Sequence, residues 1–229
     1  MVKTTTTMAM VMAMSATLTL TACGKKSDPA ATEQPVAQPA PVVATPPNPE
    51  PAPAAEDPEV AKRKAAVEFA LSEQKIAEDP LGQWASAATA SSAYNDAKDQ
   101  VHYSPWQSTG APNVEHYGDT GEAWASKTAD AGVEWLQIDF AKPVHATAIR
   151  IRQNNAPGAI IKVELIDDKK EKHTVFEGVD ANQYAPNTIT WFVQTFEKTA
   201  YLVTGAKVTL ATNAVQGWNE IDAVQLVGE

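Results

Sequence analysis

The sequence predicts an all-β fold: a double-sheet jelly-roll β-sandwich of about eight short strands, preceded by one α-helix and a disordered Pro/Ala-rich linker. Three observations predict it. Beyond Leu81, apolar residues alternate in short runs divided by Gly, Pro, Asn and Asp, with no helical period between them. All sixteen aromatic residues lie at or after Phe69, so the material for a core is confined to the later part of the 229-residue chain. Ten of the sixteen prolines fall between Pro29 and Pro58, which marks the preceding stretch as something other than a packed domain. The 149 residues that remain from Leu81 to Glu229 suit one domain.

Residues 1–22 read as a signal peptide. Lys3 supplies the positive end, Met8 to Leu20 carries no charge, and small residues precede the lone cysteine at Thr21-Ala22-Cys23-Gly24. The apolar run is shorter than the ~20 residues a transmembrane helix needs. Leu20-Thr21-Ala22-Cys23 resembles the lipobox of bacterial lipoproteins, in which the leader is cleaved before the cysteine and the cysteine is acylated. That resemblance implies lipidation at Cys23 and attachment to the membrane through an N-terminal lipid anchor. It also implies a place in the bacterial cell envelope, and Gly24 in place of aspartate favours the outer membrane. The alternative is an ordinary secreted protein with a free thiol. A catalytic thiol would need a pocket and a base, which the surrounding sequence does not supply.

Residues 23–56 form the expected tether. Pro, Ala, Val, Thr, Glu and Gln without an aromatic residue bury too little to order the chain, and an extended spacer of thirty residues at ~3.1 Å each reaches about 90 Å at most. Residues 57–80 are the expected helix, with Asp57 as N-cap, Pro58 at the first helical position and Pro80 beyond the end. Val60, Val67 and Leu71 share a stripe with Ala70 beside it, a thin apolar face to lie on the domain or to pair with another chain.

In the sandwich, 81–229, Trp135 to Phe140 places Leu136, Ile138 and Phe140 on one face. A turn at Ala141-Lys142-Pro143 leads to Val144–Arg152, with Ile149 and Ile151 inward and Arg150 and Arg152 outward. Further strands are expected at Ala159–Ile166, Lys172–Glu177, Thr188–Phe196, Ala206–Ala211 and Ile221–Val227. Asp167-Asp168-Lys169-Lys170 reads as an ordinary hairpin turn. The run Thr188 to Phe196 is apolar on both sides, which predicts a central position or one under the helix.

Charge and motifs exclude several functions. Eighteen basic residues against twenty-eight acidic give a net charge of -10, and removing the leader with Lys3 takes it to -11, which makes nucleic acid and anionic headgroups poor partners; no nucleic-acid partner is expected. One cysteine rules out an internal disulfide framework and cysteine-cluster metal sites. Gly-x-Ser-x-Gly, His-Glu-x-x-His and Gly-rich phosphate loops are absent. His102, His116, His145 and His173 are dispersed, and no two of them have zinc-ligand spacing.

Five pieces in order, Trp84 to Tyr94, Thr109-Gly-Ala-Pro-Asn113, Tyr117-Gly-Asp119 with Ala123-Trp124, Glu134 to Phe140, and Trp218-Asn-Glu-Ile-Asp to Gly228, resemble the galactose-binding-like jelly rolls. These include discoidin, or coagulation-factor C-type, domains and many carbohydrate-binding modules. The Thr-Gly-Ala-Pro and Tyr-Gly-Asp signatures are most like the variant found in bacterial envelope proteins and in pappalysin-type proteins outside their catalytic domain. The resemblance implies binding rather than catalysis, through loops at one end of the sandwich. It also implies a structural calcium, for which Asn113, Asp119 and Glu220 are the candidate ligands, although Asn113 and Asp119 also serve as turn formers.

Tyr103, Trp106 and Trp124 fall in the long loop region, where aromatic faces stack on sugar C–H surfaces; Trp124 also matches a family tryptophan that packs beneath a loop. Arg152, Asn154 and Asn155, with Gly158, read as a loop that presents hydrogen-bond donors at the same end, or as a polar turn. The expected function is a non-catalytic, membrane-anchored lipoprotein whose sandwich binds a carbohydrate or envelope polymer. The alternative is a protein-interaction module that recruits or stabilises an envelope partner, and fold alone does not choose between them.

Overall fold

A computed structural model describes residues 57–95 and 101–229; the leader, Cys23 and the tether lie outside the described residues. The chain order is α1 (Pro58–Ala77), then β1 (Gly82–Ala90), β2 (Val133–Val144), β3 (Ala146–Asn155), β4 (Ile160–Asp167), β5 (Lys172–Glu177), β6 (Thr190–Thr195), β7 (Val203–Ala211) and β8 (Glu220–Gly228). The eight strands pair in the order β5-β4-β7-β2-β1-β8-β3-β6, and every pairing is antiparallel.

One strand serves both layers. The first residues of β1, Gly82 to Trp84, pair with β8, whereas Ala85 to Ala90 pair with β2. The register slips between Ala85 and Ala87, so Ser86 is the extra residue of a bulge that turns the strand from one layer into the other. β1 is alanine-rich and lacks the aliphatic alternation of its neighbours, which is why pattern alone leaves it out of the expected strand list.

The core lies between the layers. Leu136, Ile138, Val163, Leu165, Val208 and Leu210 from β2, β4 and β7 meet Ile149, Ile151, Val224 and Leu226 from β3 and β8. All ten are fully buried, and each contributes roughly 1.5–3 kcal/mol by leaving water. The end strands of the two layers also touch, because Phe176 of β5 packs edge-on against Phe192 of β6 with ring centroids 4.9 Å apart.

Two expectations are corrected and a third is narrowed. The turn at Ala141–Pro143 is part of β2, which continues to Val144 through a break in register after Asp139. Pro143, which has no N–H to donate, sits inside that break. The loop from Arg152 to Asn155 is likewise strand, since β3 continues to Asn155 opposite Glu220 of β8. Of the two positions expected for the doubly apolar run, it takes the one under the helix, as the edge strand β6: Phe192 points into the core, while Trp191 lies under the helix and donates its indole N–H to Glu73.

The helix starts where its cap dictates, with the Asp57 carboxylate accepting from Glu59 N at 2.9 Å. Its docking face is not the stripe of Val60, Val67 and Leu71, since Val67 and Leu71 stay 58% and 52% exposed. Phe69, Glu73 and Ile76, spaced by four and three residues, face the domain instead. The reason lies in the sheet beneath. The outer face of β3 and β8 presents Arg150, Arg152 and Gln225, which need polar partners. Asp79 pairs with Arg150 at 2.8 Å, Glu73 holds Arg152 at 3.2 and 3.0 Å, and Gln225 Nε2 donates to Ile76 O at 2.9 Å. No described helix is long and apolar enough to cross a membrane.

Candidate functional site

The end of β1, the start of β2, the end of β3 and the start of β8 all lie at one end of the sandwich. Three aromatic rings gather there from segments far apart in sequence. Tyr94 follows β1, Tyr103 lies in the next loop, and Trp218 precedes β8. Tyr94 meets Tyr103 at 5.0 Å and Trp218 at 5.6 Å, both edge-on. Trp218 is fixed by its N–H, which donates to Ser126 O at 3.1 Å. Together with Asp119 and Ala125 the rings line a recess of about 50 Å³.

Tyr103 is held under strain. Its φ of 62° lies in the left-handed region, which a bulky residue enters only when its surroundings force it. Its N–H donates to Gly121 O at 2.9 Å, and its carbonyl accepts from Ala125 N at 3.3 Å. Gly121 is required for this approach, since a Cβ there would lie 2.4 Å from the His102 ring. The Tyr103 hydroxyl is pushed up to about 12 by burial first, and then by its hydrogen bond to Asp119 and the nearby Glu220 charge.

Behind the recess two carboxyl groups meet. Glu220, 1% exposed at the start of β8, accepts from Asn154 Nδ2 at 2.6 Å, Thr120 N at 3.3 Å and Asn155 Nδ2 at 3.4 Å. Burial raises its carboxyl to about 8, offset in part by Asn154 and raised further by the hydrogen bond to Asp119. Asn154 also clamps the Asp119 loop to β3, because its Nδ2 donates to Gly118 O at 3.1 Å while Gly118 N donates to Asn154 O at 3.0 Å. The buried Asn154 Oδ1 has no hydrogen-bond partner. The adjoining carboxyls of Asp119 and Glu220 are oxygen donors of the kind that a hard cation such as calcium takes, beside loop carbonyls that could add further oxygens. A second depression, about 380 Å³ and lined by the loop from Asn113 to Thr120, shares Asp119 with the aromatic recess.

The structure brings Tyr103, Asp119, Asn154, Asn155 and Glu220 to this end together. The other expected positions lie elsewhere. Trp106 is 44% exposed on a 3-10 turn, Pro105–Ser108, and does not line the recess. Trp124 is 0% exposed in the core, with its N–H on Ser92 O at 3.0 Å, so its ring has no face open to a ligand. Arg152 lies beneath α1, where it binds Val114 O at 2.8 Å and the carboxylates of Asp222 and Glu73. Asn113 lines the second depression while its backbone N donates to Asp222 Oδ1 at 3.3 Å. Tyr94 and Trp218 are missing from the expected ligand set. Their positions just outside strand ends are the signal that finds them, because β1 and β8 are neighbours in the sheet and the loops at the end of β1 and the start of β8 converge.

Residues 73–229 match the family model described as Pappalysin-1, SD scarf domain, C-terminal. No curated protein matches. Among solved structures, the chain is similar to chitosan-binding module 1 of a chitosanase/glucanase from Paenibacillus sp. IK-5, at 13% identity and TM-score 0.45, over 62% of this chain and 94% of that one. It is similar to the CBM32 of AlyQ in complex with 4,5-unsaturated mannuronic acid, at 17% identity and TM-score 0.40, over 63% and 96%. It is also similar to an F5/8 type C domain from Bacteroides fragilis, at 12% identity and TM-score 0.46, over 66% and 98%. The eight-stranded antiparallel sandwich is the all-β architecture expected from the sequence, and the matching family model is of the pappalysin kind that the sequence resembles.

Proposed function

We propose, for a chain that belongs to the Pappalysin-1, SD scarf domain, C-terminal family, that it is a non-catalytic envelope lipoprotein whose sandwich binds carbohydrate at the loop end. The observation that carries this reading is the recess of Tyr94, Tyr103 and Trp218 around the Asp119 carboxylate, with Tyr103 held in a strained backbone conformation. Aromatic faces suit the C–H surfaces of a sugar ring, and a carboxylate with the adjoining loop suits its hydroxyls. An acidic recess on a chain of net charge -10 disfavours uronates, so the expected ligands are neutral or N-acetylated sugars. Calcium is the cation we assign to Asp119 and Glu220, where its charge would hold the loop against β3 and β8.

The test is retention of the full chain on peptidoglycan and on neutral N-acetylated oligosaccharides, with a uronate oligosaccharide for comparison. Tyr103→Ala is expected to weaken binding roughly 10- to 30-fold, the loss of one aromatic anchor. Equal retention of Tyr103→Ala and the unchanged chain would remove the recess from the reading.

The anchor belongs to the same proposal. Cys23 carries the lipid, and Gly24 favours the outer membrane. Cys23→Ser is expected to release the protein from the detergent-extractable membrane fraction or to leave it unprocessed, read by fractionation and apparent mass; unchanged fractionation at unchanged mass would contradict lipidation. A second reading, a module that recruits an envelope protein, is favoured by one observation. A groove of about 1140 Å³ runs between α1 and the 183–191 segment, with Phe69, Tyr117, Tyr184 and Ile189 in its lining. Capture of one discrete envelope protein by both the unchanged chain and Tyr103→Ala, without glycan retention, would select it.

A further inference from the structure

The opposite end of the sandwich holds a cluster that the carbohydrate reading does not use. β4 ends there at Asp167, paired with Val203 at the start of β7, and the hairpin returns as β5. The turn is tight, with Lys170 in the left-handed region at φ 70°. Asp167 Oδ1 accepts from Lys169 N at 2.9 Å and Glu171 N at 2.8 Å, which fixes the carboxylate and leaves Oδ2 turned toward His173 Nε2 at 2.9 Å. The His173 ring is itself fixed, since it stacks on Tyr201 with centroids 3.7 Å apart and planes 16° from parallel. Glu171 is exposed, and its carboxylate completes a group in which one ligand atom from each of the three residues lies within 4.8 Å of the others. It is the only such group of three among the described residues.

We propose that this hairpin binds a borderline divalent transition-metal ion, with Zn²⁺ as the type, through Asp167 Oδ2, the Glu171 carboxylate and His173 Nε2. Zinc–nitrogen and zinc–oxygen distances of about 2.0–2.2 Å put two tetrahedral ligands about 3.4 Å apart, so the 2.9 Å pair needs to open by only about half an ångström. One imidazole with two carboxylates suits zinc rather than calcium, which requires six to eight oxygens. Three protein ligands leave a coordination position for water or for a donor from another molecule. Neighbouring groups thereby acquire roles: Tyr201 orients the imidazole, and the backbone amides of Lys169 and Glu171 orient the Asp167 carboxylate.

The test is calorimetric titration of the full, untagged chain with zinc chloride, and separately with calcium chloride, for the unchanged protein and for Glu171→Gln and His173→Ala. Glu171→Gln changes only an exposed side chain, so it reports the site even if His173→Ala loosens the hairpin. The expected result is one zinc bound at this site, with affinity reduced about tenfold or more in each variant and no displacement of zinc by calcium. Absence of zinc binding, or zinc binding of equal strength in both variants, would overturn the proposal. Neither outcome bears on the glycan reading, whose residues lie at the other end of the fold.

Discussion

Replacing Arg152 by alanine is expected to cost the domain roughly 3–5 kcal/mol, because it leaves a buried carboxylate without its counter-charge. At about 2–4 °C per kcal/mol for a domain of this size, the melting temperature should fall by roughly 6–20 °C. Asp222 is 1% exposed and pairs with Arg152 at 2.5 Å, while the same guanidinium reaches Glu73 of the helix at 3.0 Å. Burial pushes the Asp222 carboxyl up, and Arg152 offsets this only in part. The pair is therefore weak as a source of net stability yet costly to break from one side. Glu73→Gln removes a partly exposed partner and should cost less, and it should act locally by raising hydrogen exchange in the second half of α1. A melting temperature for Arg152→Ala within about 2 °C of the unchanged chain would contradict this account of how the helix and sheet are joined.

The second large effect is a loss of stability as pH rises. In the native protein the Glu220 carboxyl titrates at about 8 against an ordinary value near 4.5. Between those values the folded state keeps a proton that the unfolded state has released, so stability is fully present below about 4.5 and declines toward pH 8. Each tenfold difference in proton affinity between the folded and unfolded states is worth about 1.4 kcal/mol, which makes the whole decline on the order of 5 kcal/mol. Burial has the same sign at Asp222. Melts in chelator across this range should show the decline, and Glu220→Gln should flatten it. Calcium added at pH 8 should restore stability in the unchanged chain and not in Glu220→Gln. Parallel pH profiles for the two proteins would show that Glu220 does not carry the dependence.

Much of the fold is legible because its strands are half-buried. Ile149 and Ile151 alternate with Arg150 and Arg152, and one face of each pair meets the core, so the period of two survives in the sequence. What covers the other face is not legible. Arg150, Arg152 and Gln225 look solvent-facing until Asp79, Glu73 and the Ile76 carbonyl arrive from a helix whose apolar stripe points elsewhere. The candidate site divides in the same way. Asp119 and Glu220 are reached through motif resemblance and Asn154 through its place in an expected polar loop, but Tyr94 and Trp218 become partners only because β1 and β8, first and last of the strands in sequence, are neighbours in the sheet. Trp124 shows the converse: a tryptophan in a loop-rich stretch still belongs to the core when its backbone pairs with Ile221. The Asp167–His173 pair is hidden for a related reason, since a turn aspartate and a strand histidine six residues apart meet only through the hairpin.

The most direct measurement is nuclear magnetic resonance of the labelled full chain during titration with a neutral N-acetylated oligosaccharide. The account predicts that the perturbed amides and indole N–H signals centre on Tyr94, Tyr103, Asp119 and Trp218 and that Tyr103→Ala removes the perturbation. Shifts confined to the groove between α1 and residues 183–191, or unchanged in Tyr103→Ala, would contradict it.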